Sequence, residues 1–514
     1  MRISQNSVFY NIFALTLSNI ALQVLGFIYR IILSRLIGAE GMGVFQLVSP
    51  YYSIMHALAL SGLTMAVNQV SAEFHAFGDA HSTRRTVRLC FVLFAALFAA
   101  VAVPTFLYSE HISVHLLGDN RTRTALLIFI PCLLCTGIEN IFKNYFFGVN
   151  FLKAPIISEL TEQSVRILAV AILLIVFSPQ NPGDAAALIA CGMVISEIVS
   201  SSLLSVFYKK YAPRLPHRQH KCTGLYRKIL SVAIPVMLTS LITNLLASAN
   251  SVLIPRRLIV SGMVSDRALS LFGTLFGMTM PLLTFPIAFI APLTTVTVPK
   301  LSEAVAVKNF TQVRRKAGKA IHATGLLAFP AIAILIPLGS TLCTLIYADS
   351  SAGAYMLPLC ISTLFLYYQI TTAAILNGIG MQRHAAAVIL TGGVIELFFT
   401  WCVGIKGIGI YAFLVGRIVS CALCAGISLL LIVRRLNIRI QWRNWFFIPF
   451  ISSCPAGLFA NWLHMILKAE QFAPIANVVI CIGAALIIYL ILLYIQGTRP
   501  ARYLRTLIPK QQIS

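Results

Sequence analysis

The sequence predicts an all-α integral membrane protein of about 14 transmembrane helices: two parallel-repeat six-helix bundles followed by two C-terminal helices. Three observations predict it. Of 514 residues, 58% are hydrophobic and 11% charged, and the mean hydropathy is +0.87. Apolar runs of about 20 residues, the length that crosses a hydrocarbon core, recur along nearly the whole chain. A shift of 230 residues lays Glu73, Arg84 and Arg85 on Glu303, Arg314 and Arg315, Gly43 on Gly273, and Gly148 with Lys153 on Gly378 with Arg383. Charges are scarce, so one register shared by separate loops points to a duplicated unit. Six spans per unit give both halves the same orientation in the membrane.

The first apolar run follows Arg2 and polar residues, extends to Leu33 and has no small-residue cleavage site, so it reads as a retained span. Runs centred near Ile20, Ala57, Ala96, Leu133, Val170 and Ile195 make an N-terminal lobe, residues 1–208. A basic cytoplasmic linker, 209–228, carries Lys209, Lys210, Arg214, Arg218, Lys221, Arg227 and Lys228 with no acid among them. Runs centred near Ser240, Leu282, Ile332, Leu366, Leu390 and Ile418 make the C-terminal lobe, 229–433. Two extra helices near Leu458 and Ala484 occupy 434–496, and 497–514 form a basic tail. In the eighth run Pro281, Pro286 and Pro292 remove backbone donors, which predicts a bend.

The net charge of +24 is sorted along the chain rather than spread over it. Bases crowd the linker, the connection holding Lys300, Lys308, Arg314, Arg315, Lys316 and Lys319, the stretch from Arg434 to Arg443, and the tail. The intervening connections are balanced. The positive-inside rule therefore puts both termini in the cytoplasm and requires an even number of spans. The basic tail reads equally as a topology signal or as a segment lying on anionic lipid headgroups. Nucleic acid is not the partner this pattern predicts.

Chemistry on the chain is not expected. There is no phosphate-binding loop, nucleotide fingerprint or nucleophile elbow, so no catalytic residue, metal or cofactor is assigned. Most of the twelve cysteines lie inside apolar runs, and Cys132 with Cys135, like Cys421 with Cys424, read as small packing residues. The outer connections are too short for a catalytic domain.

Intramembrane polar groups are the pointer to function, because an unpaired charge there is costly. Glu139 and Lys143, and Glu162 and Arg166, are each four apart, which puts them on one helix face near the cytoplasmic end. They read as structural pairs or as a vestibule for an anionic substrate. Arg166 and Glu197 lie at similar depth on either side of a turn, as do Glu396 and Arg417, and the offset lays Arg166 on Glu396. The halves then carry matching pairs of reversed sign, either structural or coupled to a proton or Na⁺. Asn11, Asn19, Gln23, Gly26 and Arg30 share one face of the first span. Ser240, Asn244, Ser248 and Ser251 share one face of the seventh, and His56 lies on the second. Polar stripes on the first helices of both halves suit a wet central cleft; helix packing through small and amide side chains is the plain alternative.

At these residues the chain resembles a known family. The stretch LGFIYRIILSRLIGAEGMGVFQLVSP from Leu25, SGLTMAVNQVSAEFHAFGD from Ser61, FGMTMPLLTFP from Phe276, VPKLSEA from Val298 and ILNGIGMQRHAA from Ile375 are similar to the stage V sporulation protein B branch of polysaccharide flippases. That branch lies within the superfamily of multidrug and oligosaccharidyl-lipid exporters. The resemblance implies a MATE-like fold, alternating access and a cationic central cavity that moves lipid-linked saccharide. Members that flip lipid II carry an arginine before the LGF and an Arg-Asp pair after it. Here Gln23 stands before it, and Ile28, Tyr29 and Arg30 follow.

The expectation is thus a flippase, not an enzyme, in a bacterial cytoplasmic membrane. It would carry undecaprenyl-diphosphate-linked saccharide, a peptidoglycan precursor or a polysaccharide unit, to the outer leaflet, with Arg30, Gln23, Asn19, His56, Asn244 and Ser248 as substrate-binding residues. Expected partners are that substrate, anionic lipids and proteins of cell-wall or polysaccharide synthesis, including during sporulation. Two alternatives stay open: a cation-coupled multidrug exporter, and a non-transporting scaffold for cell-wall enzymes.

Overall fold

The computed structural model describes residues 5–211, 224–470 and 472–498. The linker bases Arg214, Arg218 and Lys221 and the basic tail from 499 onward lie outside the described residues, as do the side chains of Asn11, Lys300 and Glu303.

Every long element is helical, and twelve helices among the described residues are long and apolar enough to cross a membrane. The first such stretch, Leu17–Ala76, has 60 residues, about three times the number one crossing needs. It begins in α1, Gln5–His56, which Gly38 breaks with φ 66 and ψ −173, a backbone state open to glycine because it has no Cβ. A π-turn, Ala57–Ser61, carries the chain on into α2, Gly62–Ala76. This one stretch therefore supplies the first two spans. The first repeat continues through α3 (Ala80–Leu107), α4 (Arg123–Gly148), α5 (Lys153–Phe177) and α6 (Pro182–Tyr211).

The second repeat opens with α7, Leu225–Val260. Its eighth span is segmented where the prolines predict a bend: α8 (Ser265–Phe272), a π-turn (Gly273–Thr279), one short helical turn (Met280–Thr284), a break at Phe285 and Pro286, then α9 (Ile287–Ala306). There follow α10 (Phe310–Tyr347), α11 (Met356–Gly378), α12 (Gln382–Cys402) and α13 (Ile410–Leu436). The two extra helices are α14 (Ile448–Ala469) and α15 (Pro474–Ile495).

The 230-residue period reappears as repeated local geometry. Asp79 Oδ1 accepts the Ser82 N–H at 2.9 Å and caps α3; Asn309 Oδ1 accepts the Gln312 N–H at 3.1 Å and caps α10. The residues before these caps, Gly78 and Lys308, both have positive φ. A Cβ on Gly148 would stand 2.6 Å from the Asn68 carbonyl oxygen, and one on Gly378 would stand 3.2 Å from that of Val298, again 230 positions on. The last hairpin of each half is closed by a glycine contact. Gly192 packs on Val170, and Gly416 packs on Phe399.

The chain forms two compact units, Met1–Ile259 with Met263–Gly273, and Val260–Gly262 with Thr274–Ser514. Packing thus divides the chain at a different place from the repeat. Helix α7 opens the second repeat yet lies along the first unit. Lys228 pairs with Glu73, a Cβ on Gly62 would strike the Ala233 carbonyl oxygen at 2.1 Å, Ser248 donates to the Pro50 carbonyl at 3.0 Å, and Arg256 donates to the His115 carbonyl. Beyond it Arg121 gathers Glu40, Asp119 and Asp266 within 3.4 Å. Gly43 and Gly273, matched by the offset, meet: a Cβ on Gly273 would stand 2.5 Å from the Gly43 nitrogen.

In the second unit the extra helices are fastened to α10. Tyr489 donates to the Leu326 carbonyl at 3.0 Å, and His464 bridges Thr341 Oγ1 at 2.9 Å and Asn477 Oδ1 at 3.1 Å.

Candidate functional site

The first unit holds a buried ionic cluster on α4, α5 and α6. One turn of α4 separates Glu139 from Lys143, whose ammonium lies 3.4 Å from Glu139 and 3.2 Å from Glu159 of α5. Next along α5, Arg166 pairs with Glu162 and reaches across to Glu197 of α6 at 3.2 Å. Its Nε donates to Ser196 Oγ at 3.3 Å. Four carboxylates therefore share two bases. Glu139 is fully buried and Glu197 is 5% exposed, and the second oxygen of each, Oε2, accepts no hydrogen bond. One oxygen from each of Glu139, Glu162 and Glu197 lies within 4.8 Å of the other two. Inside a membrane an excess of two negative charges has to be offset. Two protons or two monovalent cations among these carboxylates would do so.

Helix α1 borders this cluster. The charge of Arg166 acts on Tyr29, and that of Lys143 acts on His56. Ser158 and Ser200 close the α5–α6 interface beside it through a 2.6 Å hydroxyl contact.

In the second unit the corresponding feature is a single pair, Glu396 and Arg417 at 3.3 Å. Arg166 and Glu396 are equivalent, but their partners are not. Arg166 and Glu197 are 31 positions apart, whereas Glu396 and Arg417 are 21 apart. Each half thus holds the expected Arg–Glu pair, with the arginine first in one and the glutamate first in the other.

The residues expected to hold substrate lie on α1 and α7. Asn19 and Gln23 are exposed on α1, four apart, with Arg30 half-buried further along the same face. His56 is half-buried. On α7 the Asn244 amide donates to its own helix at Ser240 O, 2.8 Å away, and Ser248 is buried in its bond to Pro50. Ser248 thus donates its hydroxyl to the part of α1 that follows the Gly38 break. Glu159 was not singled out by sequence, although it precedes Glu162 by three residues and Arg166 by seven, which places it on their face. The cysteine pairs pack: Cys132 is buried against Tyr52, and Cys424 Sγ lies 3.3 Å from the Val388 carbonyl.

The model of the polysaccharide biosynthesis protein family matches residues 8–305, more than half of the chain. The chain belongs to that family. This family member is 26% identical over 381 residues to stage V sporulation protein B of Bacillus subtilis (strain 168), covering 73% of each chain. It is 23% identical to the lipid II flippase MurJ of the same organism, covering 75% of each. Among solved structures, its fold is similar to the inward closed conformation of lipid II flippase MurJ, with TM-score 0.64 and 14% identity over 96% of this chain and 99% of that one. It is also similar to an inward-facing multidrug resistance MATE family transporter of the MOP superfamily, with TM-score 0.65 and 15% identity over 82% and 98%. It is a multi-pass membrane protein with the all-α fold of the MOP-superfamily transporters and flippases.

Proposed function

We propose that this family member is a flippase that moves an undecaprenyl-diphosphate-linked saccharide from the inner to the outer leaflet of a bacterial cytoplasmic membrane, with both termini in the cytoplasm. The observation that carries the reading is the uncovered polar stripe of α1. Two amide side chains, Asn19 and Gln23, stand exposed one turn apart on a membrane-spanning helix with Arg30 on the same face. Lipid cannot satisfy such groups, so they serve water or a polar cargo. Arg30 supplies charge-assisted bonds to a diphosphate, the amides bind sugar hydroxyls, and the prenyl tail stays in lipid. Asn244 and His56 complete the set. The relatives named as flippase and sporulation proteins support the substrate class.

The four-to-two cluster supplies the energy coupling in this reading, by binding a proton or a monovalent cation in exchange for cargo. The same cluster gives a cation-coupled drug exporter its strongest support, and one assay separates the two. Purified protein in liposomes is given labelled lipid-linked saccharide or a cationic dye under an imposed pH or Na⁺ gradient. Saccharide protection that falls at least about tenfold in Arg30→Ala supports the proposal. Movement of the dye alone favours the exporter, and movement of neither leaves the scaffold.

A further inference from the structure

We propose that the second unit carries a phosphate-binding pocket at the membrane surface, built between the start of α10 and the connection that leads into the two extra helices. The pocket stands independently of the transport reading above.

A cavity of about 170 Å³ opens there, and Arg314, Arg315, Lys319, Gln441, Asn444 and Trp445 line it. Three of these side chains are cationic, and no acid is among the lining residues. Arg315 and Lys319 are four apart on one helix face, and the guanidinium acts directly on the ammonium. Among the described residues neither has an acidic partner within ion-pair range, in contrast to Arg166, Arg417 and Lys143. Two like charges one turn apart at a cavity mouth repel each other, and an anion between them relieves the repulsion. Topology alone asks only for positive charge in a cytoplasmic connection; it does not ask for a walled cavity.

The wall is anchored. Arg314 Nε donates to the Leu436 carbonyl at 2.6 Å, His322 Nδ1 contacts the Asn444 carbonyl, and Tyr368 donates to the Trp445 carbonyl at 2.9 Å. Gly318 leaves the room that Trp445 occupies, since a Cβ there would meet the indole at 3.3 Å. The floor, His322 and Trp445, is buried, while Arg314, Arg315, Gln441 and Asn444 are exposed at the mouth. Basic side chains and amide donors around a small cavity suit the oxygens of a phosphate mono- or diester.

Position selects the source. Helix α10 has 38 residues, roughly 57 Å at 1.5 Å per residue, well beyond the ~30 Å hydrocarbon core. Its first turns, which carry the three bases, therefore stand at headgroup level. Trp442 and Phe447 are exposed beside them, as interfacial aromatics are. The first repeat lacks these side chains: Leu89 and Val92 occupy the positions of Lys319 and His322.

The test uses the purified full-length protein in detergent, with three probes: a short-chain phosphatidylglycerol, the matching phosphatidylcholine and inorganic phosphate. Thermal stability and equilibrium binding are read for the native chain, for Arg315→Gln with Lys319→Gln, and for Gln441→Glu. The last is an exposed change that adds an acid at the mouth without removing a contact. Phosphatidylglycerol is expected to bind and stabilise the native chain, and both variants to weaken it at least about tenfold. Binding of inorganic phosphate with the same sensitivity would assign the pocket to free phosphate as well; its absence assigns it to the lipid headgroup. Equal responses to phosphatidylglycerol and phosphatidylcholine, or unchanged binding of both phosphate probes in the variants, would overturn the proposal.

Discussion

Arg166 in the first repeat and Glu396 in the second occupy equivalent positions, and what surrounds them differs more than they do. Around Arg166, three helices bring four carboxylates and two bases into a buried cluster. Around Glu396 there is one arginine at 3.3 Å and a balanced charge. A duplicated helix scaffold therefore carries an electrostatically complete pair in one copy and an incomplete cluster in the other. The difference teaches where the two halves part: the pair in the second unit is balanced, whereas the cluster in the first holds more acids than bases.

Replacing the bases breaks this comparison most directly. Arg166→Met strips two buried carboxylates of their partner and is expected to destabilise the protein by about 3–5 kcal/mol, read as a fall in the thermal midpoint in detergent. Adding Glu197→Met should not restore it, because Glu162 is still left behind. Arg417→Met alone should cost about 3 kcal/mol, and the double change with Glu396→Met should recover to within about 1 kcal/mol of the native chain, since an apolar pair can replace a buried ionic one. Recovery in both units would erase the distinction.

The second test addresses coupling. Glu197→Gln removes one charge of the excess while keeping the shape, so transport in liposomes should lose its dependence on the driving gradient. Glu396→Gln should leave that dependence intact. Equal loss in both would place coupling in both halves.

Smaller effects sharpen the packing side. Gly43→Ala puts a methyl 2.2 Å from the Leu269 carbonyl oxygen and should cost about 1–3 kcal/mol. Gly26→Ala, with nothing within 4 Å of the added atom, should stabilise by up to ~1 kcal/mol. Smallest is the pair of caps. Asp79→Ala and Asn309→Ala should each cost about 1 kcal/mol, with the buried Asp79 the costlier of the two. Chemical or thermal denaturation of single variants reads both sets.

Much of this was legible in the chain. Apolar run length marked the spans, and the offset of 230 marked positions whose caps and glycine contacts prove to repeat, Asp79 with Asn309 and Gly148 with Gly378. Helical spacing of four and equal depth about a turn anticipated the contacts of Glu139 with Lys143 and Arg166 with Glu197. Equal depth about a turn likewise anticipated the contact of Glu396 with Arg417. Glu159 shares the helix face of Glu162 and Arg166, but only the fold brings Lys143 of another helix to it at 3.2 Å.

The sequence by itself determined what depends on local chemistry: which segments favour lipid over water, where prolines and Gly38 interrupt helices, which charges share a helix face, and that the unit is duplicated. Tertiary structure alone decided which faces meet. It set four carboxylates against two bases, laid α7 along the first unit although the repeat assigns it to the second, and used the connection to the extra helices to turn a basic stretch into a walled pocket. Hydropathy and spacing repeat along one helix at a time and carry no information about the angle at which another helix arrives, so stoichiometry and enclosure appear only when the helices pack.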